Sequence, residues 1–143
     1  MKILVVEDNK GDQRIMKEIF KQHSPSTELT LAEDADQAMA HFKKGKKERN
    51  GFMPHFVILD LNLPKRSGKD FLRDMKADPL LKKIPVLILT SSDAETDIEE
   101  CYAAGASCYL NKPTRLAEYQ NMIESMCEFW LHQVKFTKLF AEG

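Results

Sequence analysis

The chain is short of several things that often announce a function. Cysteine occurs three times, at Cys101, Cys108 and Cys127, with no CxxC pair. So sparse and odd a set suits reduced thiols and argues against a disulfide framework. Neither sign of charge is in excess: 21 Lys and Arg stand against 22 Asp and Glu, a net −1. That balance removes the electrostatic case for nucleic acid or an anionic membrane as partner. Long apolar runs are missing too, since none approaches the roughly 20 residues needed to cross a bilayer. Ile3 to Val6 is too short for a signal peptide and runs straight into acidic residues. The four histidines (His23, His41, His55, His132) have no ligand-like spacing with one another or with cysteine. Repeats, low-complexity tracts and internal linkers are absent. We therefore expect a soluble, cytoplasmic protein whose 143 residues form one domain with a core large enough to need no staples.

What the chain does have is a set of short apolar runs that end in polar residues. Phe56-Val57-Ile58-Leu59 runs without a break into Asp60, and Pro64 follows. A run of this kind reads as a strand buried on both faces in a parallel sheet, and proline ends its pairing. Ile3 to Val6 repeats the pattern and ends in Glu7-Asp8; Pro85 to Leu89 ends in Thr90; Ser107 to Asn111 is followed by Lys112-Pro113. Glu28 to Leu31 is a short alternating strand suited to an edge. Between these lie helical patterns. Ile15, Met16, Ile19 and Phe20 mark the first, with Asp12 as its expected N-cap. Ala38, Met39 and Phe42 mark the second, opened by Asp34 or Asp36, and Phe71, Leu72 and Met75 the third, entered at Gly68. Ser92 with Glu95 has capping-box spacing and predicts a helix from about Asp93 to Ala104, stopped at Gly105. A long amphipathic helix follows Arg115. Five strands alternating with five helices predict an α/β fold, a doubly wound five-stranded parallel sheet covered on both faces.

Ligands of such sheets bind outside the carboxyl ends of the strands. There the pattern converges Glu7, Asp8, Asp60, Thr90 and Lys112. Two like charges about 4 Å apart repel by roughly 4 kcal/mol at an effective dielectric of about 20. One lysine cannot neutralise three carboxylates, whereas a divalent cation can, and an all-oxygen site that keeps waters favours Mg²⁺. Mg²⁺ beside carboxylates, with Lys and Thr as donors, suits a phosphoryl group, with Asp60 as its acceptor.

With these residues in place, the sequence resembles the receiver domains of two-component response regulators over residues 1 to about 134. The matching motifs are Glu7-Asp8, Asp60 with Pro64 and Gly68, Thr90, and Tyr109 with Lys112-Pro113. The resemblance implies a flavodoxin-like strand order 2-1-3-4-5 and phosphorylation of Asp60 by a sensor histidine kinase. It implies that Asp8, the Asp60 carboxylate and the Asn62 backbone carbonyl hold Mg²⁺, with Glu7 in support. Thr90 would bond the phosphoryl group, Lys112 would pair with it, Tyr109 would rotate inward as part of the switch, and the Lys112–Pro113 bond would be cis. The stretches Gly45 to Pro54, Asp78 to Lys83 and Glu118 to Val134 look similar to single-domain regulators of bacterial phytochrome kinases.

Domain limits expected from this are a receiver over 1–134 and a C-terminal tail over 135–143, with no effector domain. Output then falls to protein contacts: an unknown downstream partner, or a homodimer through the C-terminal helix. Trp130, Leu131, Val134, Phe136, Leu139 and Phe140 exceed what one core-facing stripe needs, and the rival use for that excess is a tail folded back over its own domain. Two other readings compete. A phosphatase of the haloacid dehalogenase type would want an acidic residue where Asn62 stands, and Asn62 cannot supply a proton. A flavodoxin-like cofactor binder would want a phosphate loop where Glu7-Asp8 stand. The chain is therefore expected to be a phosphoacceptor that signals, not a turnover enzyme.

Overall fold

A computed structural model describes residues 1–49 and 53–139; Phe140 lies outside them. The elements run β1 (Lys2–Val6), α1 (Lys10–His23), β2 (Glu28–Ala32), α2 (Ala35–Glu48), β3 (Phe56–Leu59), α3 (Gly68–Ala77), a single 3-10 turn (Leu81–Lys83), β4 (Val86–Thr90), α4 (Glu95–Ala103), β5 (Cys108–Asn111) and α5 (Leu116–His132). All pairings are parallel and the order is β2-β1-β3-β4-β5, as expected.

Alternation along the strands divides the core into two layers. Leu4, Val6, Val57, Leu59, Val86 and Ile88 point to the face covered by α2, α3 and α4. Ile3, Val5, Phe56, Ile58, Leu87 and Leu89 point to the face covered by α1 and α5. Because both faces are covered, the three central strands read as unbroken apolar runs. Among the described residues no helix is long and apolar enough to cross a membrane, and the three cysteines are free thiols.

Helix starts differ in detail from the sequence expectation. Asn9, not Asp12, caps α1: its side chain accepts from the Asp12 N–H. Either residue type can cap, but Asn9 has the extended backbone the position requires. Asp34 caps α2 and Ser67 caps α3. At α4 the expected capping box is not formed. The helix begins at Glu95 behind Ala94 with no side-chain cap; Ser92 stands two residues before that cap, and its hydroxyl donates to Asp97.

The chain beyond α5 turns back onto the amino end of the sheet. Phe136 stacks on Phe56 with centroids 5.7 Å apart and planes 9° from parallel, and meets His55 edge-on at 5.9 Å. Leu139 packs against the opposite layer. Much of the C-terminal apolar excess thus covers its own domain, though Phe129 stays exposed. Nδ1 of His55 accepts the Lys2 backbone N–H at 3.0 Å. Burial, and then the positive N-terminus, hold this imidazole below its usual 6.5. The folded protein therefore binds fewer protons than the unfolded chain as the pH drops through 6.5, and stability falls on that side. We expect His55→Gln to lose less melting temperature than the native protein between about pH 7 and about pH 5. Parallel pH profiles for the two proteins would refute this.

Candidate functional site

The site forms at the crevice where the chain winds off β1 in one direction and off β3 in the other. Its residues are fixed by continuations of the strand ladders. Glu7 N–H bonds Ala32 C=O at 2.9 Å, Asp60 N–H bonds Val6 C=O at 3.0 Å, and Lys112 N–H bonds Thr90 C=O at 2.7 Å. Each functional side chain thus follows directly from a paired strand end.

The Lys112 ammonium is the centre of the site. Its Nζ donates to Asp60 Oδ2 at 2.7 Å, to Asp12 Oδ2 at 2.8 Å and to Glu7 Oε1. All three N–H donors of the ammonium are spent on three carboxylates. The Glu7 side chain is 2% exposed, that of Asp60 7%, and that of Asp12 23%. Depth separates the two buried acids electrostatically. Burial pushes Glu7 up to about 8, against the pull of Lys112. Burial acts the same way on Asp60, but Lys112, the Asn62 N–H and the Thr90 hydroxyl outweigh it and hold its carboxyl below the usual range. Of the two, Asp60 gives up its proton more readily. Lys112 is held firmly protonated by the three carboxylates despite its own burial. Gln13 Nε2 fixes the Glu7 backbone carbonyl, and Asn62 N–H bonds Asp60 Oδ1 at 3.1 Å.

These groups open onto a cleft of about 490 Å³ that Asp8, Asn62, Ser91, Pro113, Arg115, Leu116 and Tyr119 also line. A second network sits beside it. Tyr109 Oη donates to the Ser92 carbonyl at 2.8 Å, and Lys69 Nζ joins Asp97 at 2.6 Å to Glu100 at 2.7 Å. Ser92, Asp97 and Lys69 thereby tie the loop after β4 to the start of α3.

Glu7, Asp60, Thr90 and Lys112 are brought together as the sequence suggested; Asp8 and Asn62 line the same cleft, with Asp8 exposed. Two points differ from expectation. Among the described residues no peptide bond is cis, so Lys112–Pro113 is trans. That form is favoured for X–Pro by about 0.5–1 kcal/mol, and from it Lys112 reaches all three carboxylates. The other is Asp12, read as a helix cap but in fact the third partner of Lys112. Its place four residues after Asp8, in the first turn of the helix leaving β1, was the available signal.

Among the described residues no three acidic, histidine or cysteine side chains form a closed metal cage. The arrangement nonetheless fits a hard divalent cation. Glu7 and Asp60 converge on one point that already accommodates positive charge, Asp8 lines the same cleft, and Mg²⁺ typically takes one or two carboxylates and keeps several waters.

Fold and site together define a doubly wound α/β domain with an acidic cleft and a half-buried lysine at the carboxyl end of its sheet. The chain belongs to the response regulator receiver domain family, which matches residues 3–124. The response regulator Rcp1 of Synechocystis sp. is 38% identical over 132 residues, covering 92% of this chain and 90% of Rcp1. The crystal structure of Mn²⁺-bound Rcp1 superimposes with a TM-score of 0.88 at 37% identity, covering 96% of this chain and 99% of that one. The phosphorylated cyanobacterial phytochrome response regulator RcpA superimposes with a TM-score of 0.89 at 35% identity, covering 96% and 98%.

Proposed function

We propose that this receiver takes a phosphoryl group from a sensor histidine kinase onto Asp60 in the presence of Mg²⁺, and that the kinase is a phytochrome. The observation that carries the proposal is the Lys112 ammonium joining Asp60, ionised and 7% exposed, to Glu7 at the mouth of one cleft. The phytochrome assignment rests on the likeness to RcpA.

An oxygen of Asp60 forms the new bond to phosphorus while the bond from phosphorus to the donor histidine nitrogen breaks. The ionised state of Asp60 supplies the electron pair without a separate base. Lys112 neutralises the charge gathering on the phosphoryl oxygens, and the Thr90 hydroxyl donates to them. Asp8, Asp60 and the Asn62 carbonyl, with Glu7 in support, would hold Mg²⁺, which would supply positive charge against the phosphoryl oxygens when bound. Asn62 offers no acid for hydrolysis, so the acyl phosphate is lost slowly and acts as a signal.

Phosphorylation adds nearly two negative charges beside Thr90. Tyr109, bonded to the Ser92 carbonyl two residues further on, carries the change to the surface of α4, β5 and α5, where Tyr102 and Leu116 are exposed. A downstream protein, or a second copy docking through the C-terminal helix at exposed Phe129, reads that surface. The protein works in the cytoplasm.

The test is incubation with a small phosphodonor and Mg²⁺, followed by intact mass. One phosphoryl adduct per chain, carried by the peptide containing Asp60 and lost on chelating the metal, is expected. Consumption of many equivalents of donor with no adduct would replace this reading with a phosphatase.

A further inference from the structure

The cleft contains one polar atom whose role the phosphoacceptor chemistry leaves unexplained. Among the described residues, the Tyr119 hydroxyl is the buried side-chain donor with no hydrogen-bond partner. Tyr119 is 3% exposed, sits in the first turns of α5, and faces the cleft that holds Asp12 and Lys112. Leaving such a group unpaired is costly. Of the charges around it, that of Asp12 acts on it most strongly.

The coordination of Lys112 gives this donor a purpose. With all three N–H groups committed to Glu7, Asp12 and Asp60, Lys112 can reach a phosphoryl group only by releasing a carboxylate. The bond to Asp60 changes character in any case, since that oxygen becomes part of an acyl phosphate. Of the other two, Glu7 is the deeper, 2% exposed, and has less room to turn away from the ammonium. Asp12 is shallower, lies at the N-terminus of α1 where negative charge is favoured, and shares its cleft with an unused donor.

We propose that Asp12 and Tyr119 are positioning residues for Lys112: Asp12 is its third counter-ion before phosphorylation and passes to the Tyr119 hydroxyl when Lys112 turns to the phosphoryl group. The pair makes the unphosphorylated state hold its lysine away from the donor and lowers the cost of giving it up. This deepens the phosphoacceptor reading and rests on it.

The experiment is a double-mutant cycle of Tyr119→Phe and Asp12→Asn, with acetyl phosphate and Mg²⁺ as probes and the ratio of phosphorylated to free protein at steady state read by intact mass. Tyr119→Phe removes an oxygen that is unpaired before phosphorylation, so the donor-free melting temperature stays level or rises. The phosphorylated-to-free ratio falls about tenfold, the worth of one hydrogen bond to a charged group. In the Asp12→Asn background the same change has little effect, because the carboxylate that needed the hydroxyl is gone. Equal ratios for Tyr119→Phe and native protein, or the same fall in both backgrounds, would overturn the proposal. An absence of adduct on the native protein itself would instead overturn the phosphoacceptor reading.

Discussion

Replacing Lys112 by methionine is expected to slow phosphoryl transfer to Asp60 about a hundredfold or more, and to make stability fall with rising pH more steeply than in the native protein. The kinetic part follows from removing a preorganised charge aimed at oxygens that gain negative charge as the bond forms. The stability part follows from the three carboxylates that Lys112 joins. Removing one partner of a buried ionic cluster costs about 3–5 kcal/mol. In a domain of this size each kcal/mol shifts the melting temperature by about 2–4 °C, so a fall of about 10 °C is expected. The fall depends on pH because Glu7 has an escape. Its folded value, pushed up to about 8 by burial, lies above the ordinary 4.5. The folded state therefore binds the extra proton, and stability declines as the pH rises from about 4.5 through about 8. Without Lys112 the Glu7 value rises further. The variant should lie closest to native near pH 5 and furthest below it near pH 9, roughly. Melting curves across this range, with single-turnover phosphorylation by a small donor, check both parts. Native-like curves at alkaline pH would show that the carboxylates do not depend on this lysine.

Gly68→Ala carries the second large effect. A Cβ at this position would lie 2.3 Å from the Asp60 carbonyl oxygen and 2.7 Å from the Leu61 Cα. Both are backbone atoms, so no side-chain rotation relieves the clash. The Gly68 N–H also bonds the Leu61 carbonyl at 3.0 Å, which clamps the start of α3 against the segment that carries Asp60. Overpacking of this kind costs about 1–3 kcal/mol, and the upper end is expected where only backbone can yield. The functional loss is larger, because displacing a reacting group by about 1 Å costs about a hundredfold in rate. Gly11→Ala is the control: a Cβ there meets only the Asn9 side-chain oxygen, at 3.2 Å, on the surface of α1. Adduct formation and melting temperature should both drop for Gly68→Ala and stay near native for Gly11→Ala. Equal behaviour of the two would mean that α3 shifts without moving Asp60.

Particular residues show why some features were legible in the sequence and others were not. Asp60 stood out because a carboxylate directly after four residues buried on both faces has few places to go. The sheet order followed from the receiver motifs, and the site from the polar residues that end β1, β3, β4 and β5. What the sequence could not reveal depends on partners far along the chain. Asp12 and Ser92 both looked like helix caps, since their local spacing fits. Asp12 is taken by Lys112, 100 residues away, and Ser92 by Asp97, itself held by Lys69 from another helix. The Tyr119 hydroxyl was hidden in the same way, since its ring belongs to the apolar stripe of α5. The C-terminal apolar residues gave a surplus without an address, and the ring stack of Phe136 on Phe56 supplies it.

The ladder bonds that place Glu7, Asp60 and Lys112 also make the sheet a measuring frame. Each of these residues is the next step after the last paired residue of its strand, so its direction is set by counting along that strand. Inserting or deleting a single residue within β1, β3 or β5 would send the functional side chain into the opposite layer. The stretch joining α2 to β3 and the segment beyond α5 meet the strands at their amino ends, a full strand length from the cleft. Length can vary there without disturbing the count. Lineages of this protein should therefore differ in size at that end while the strands keep their lengths to the residue.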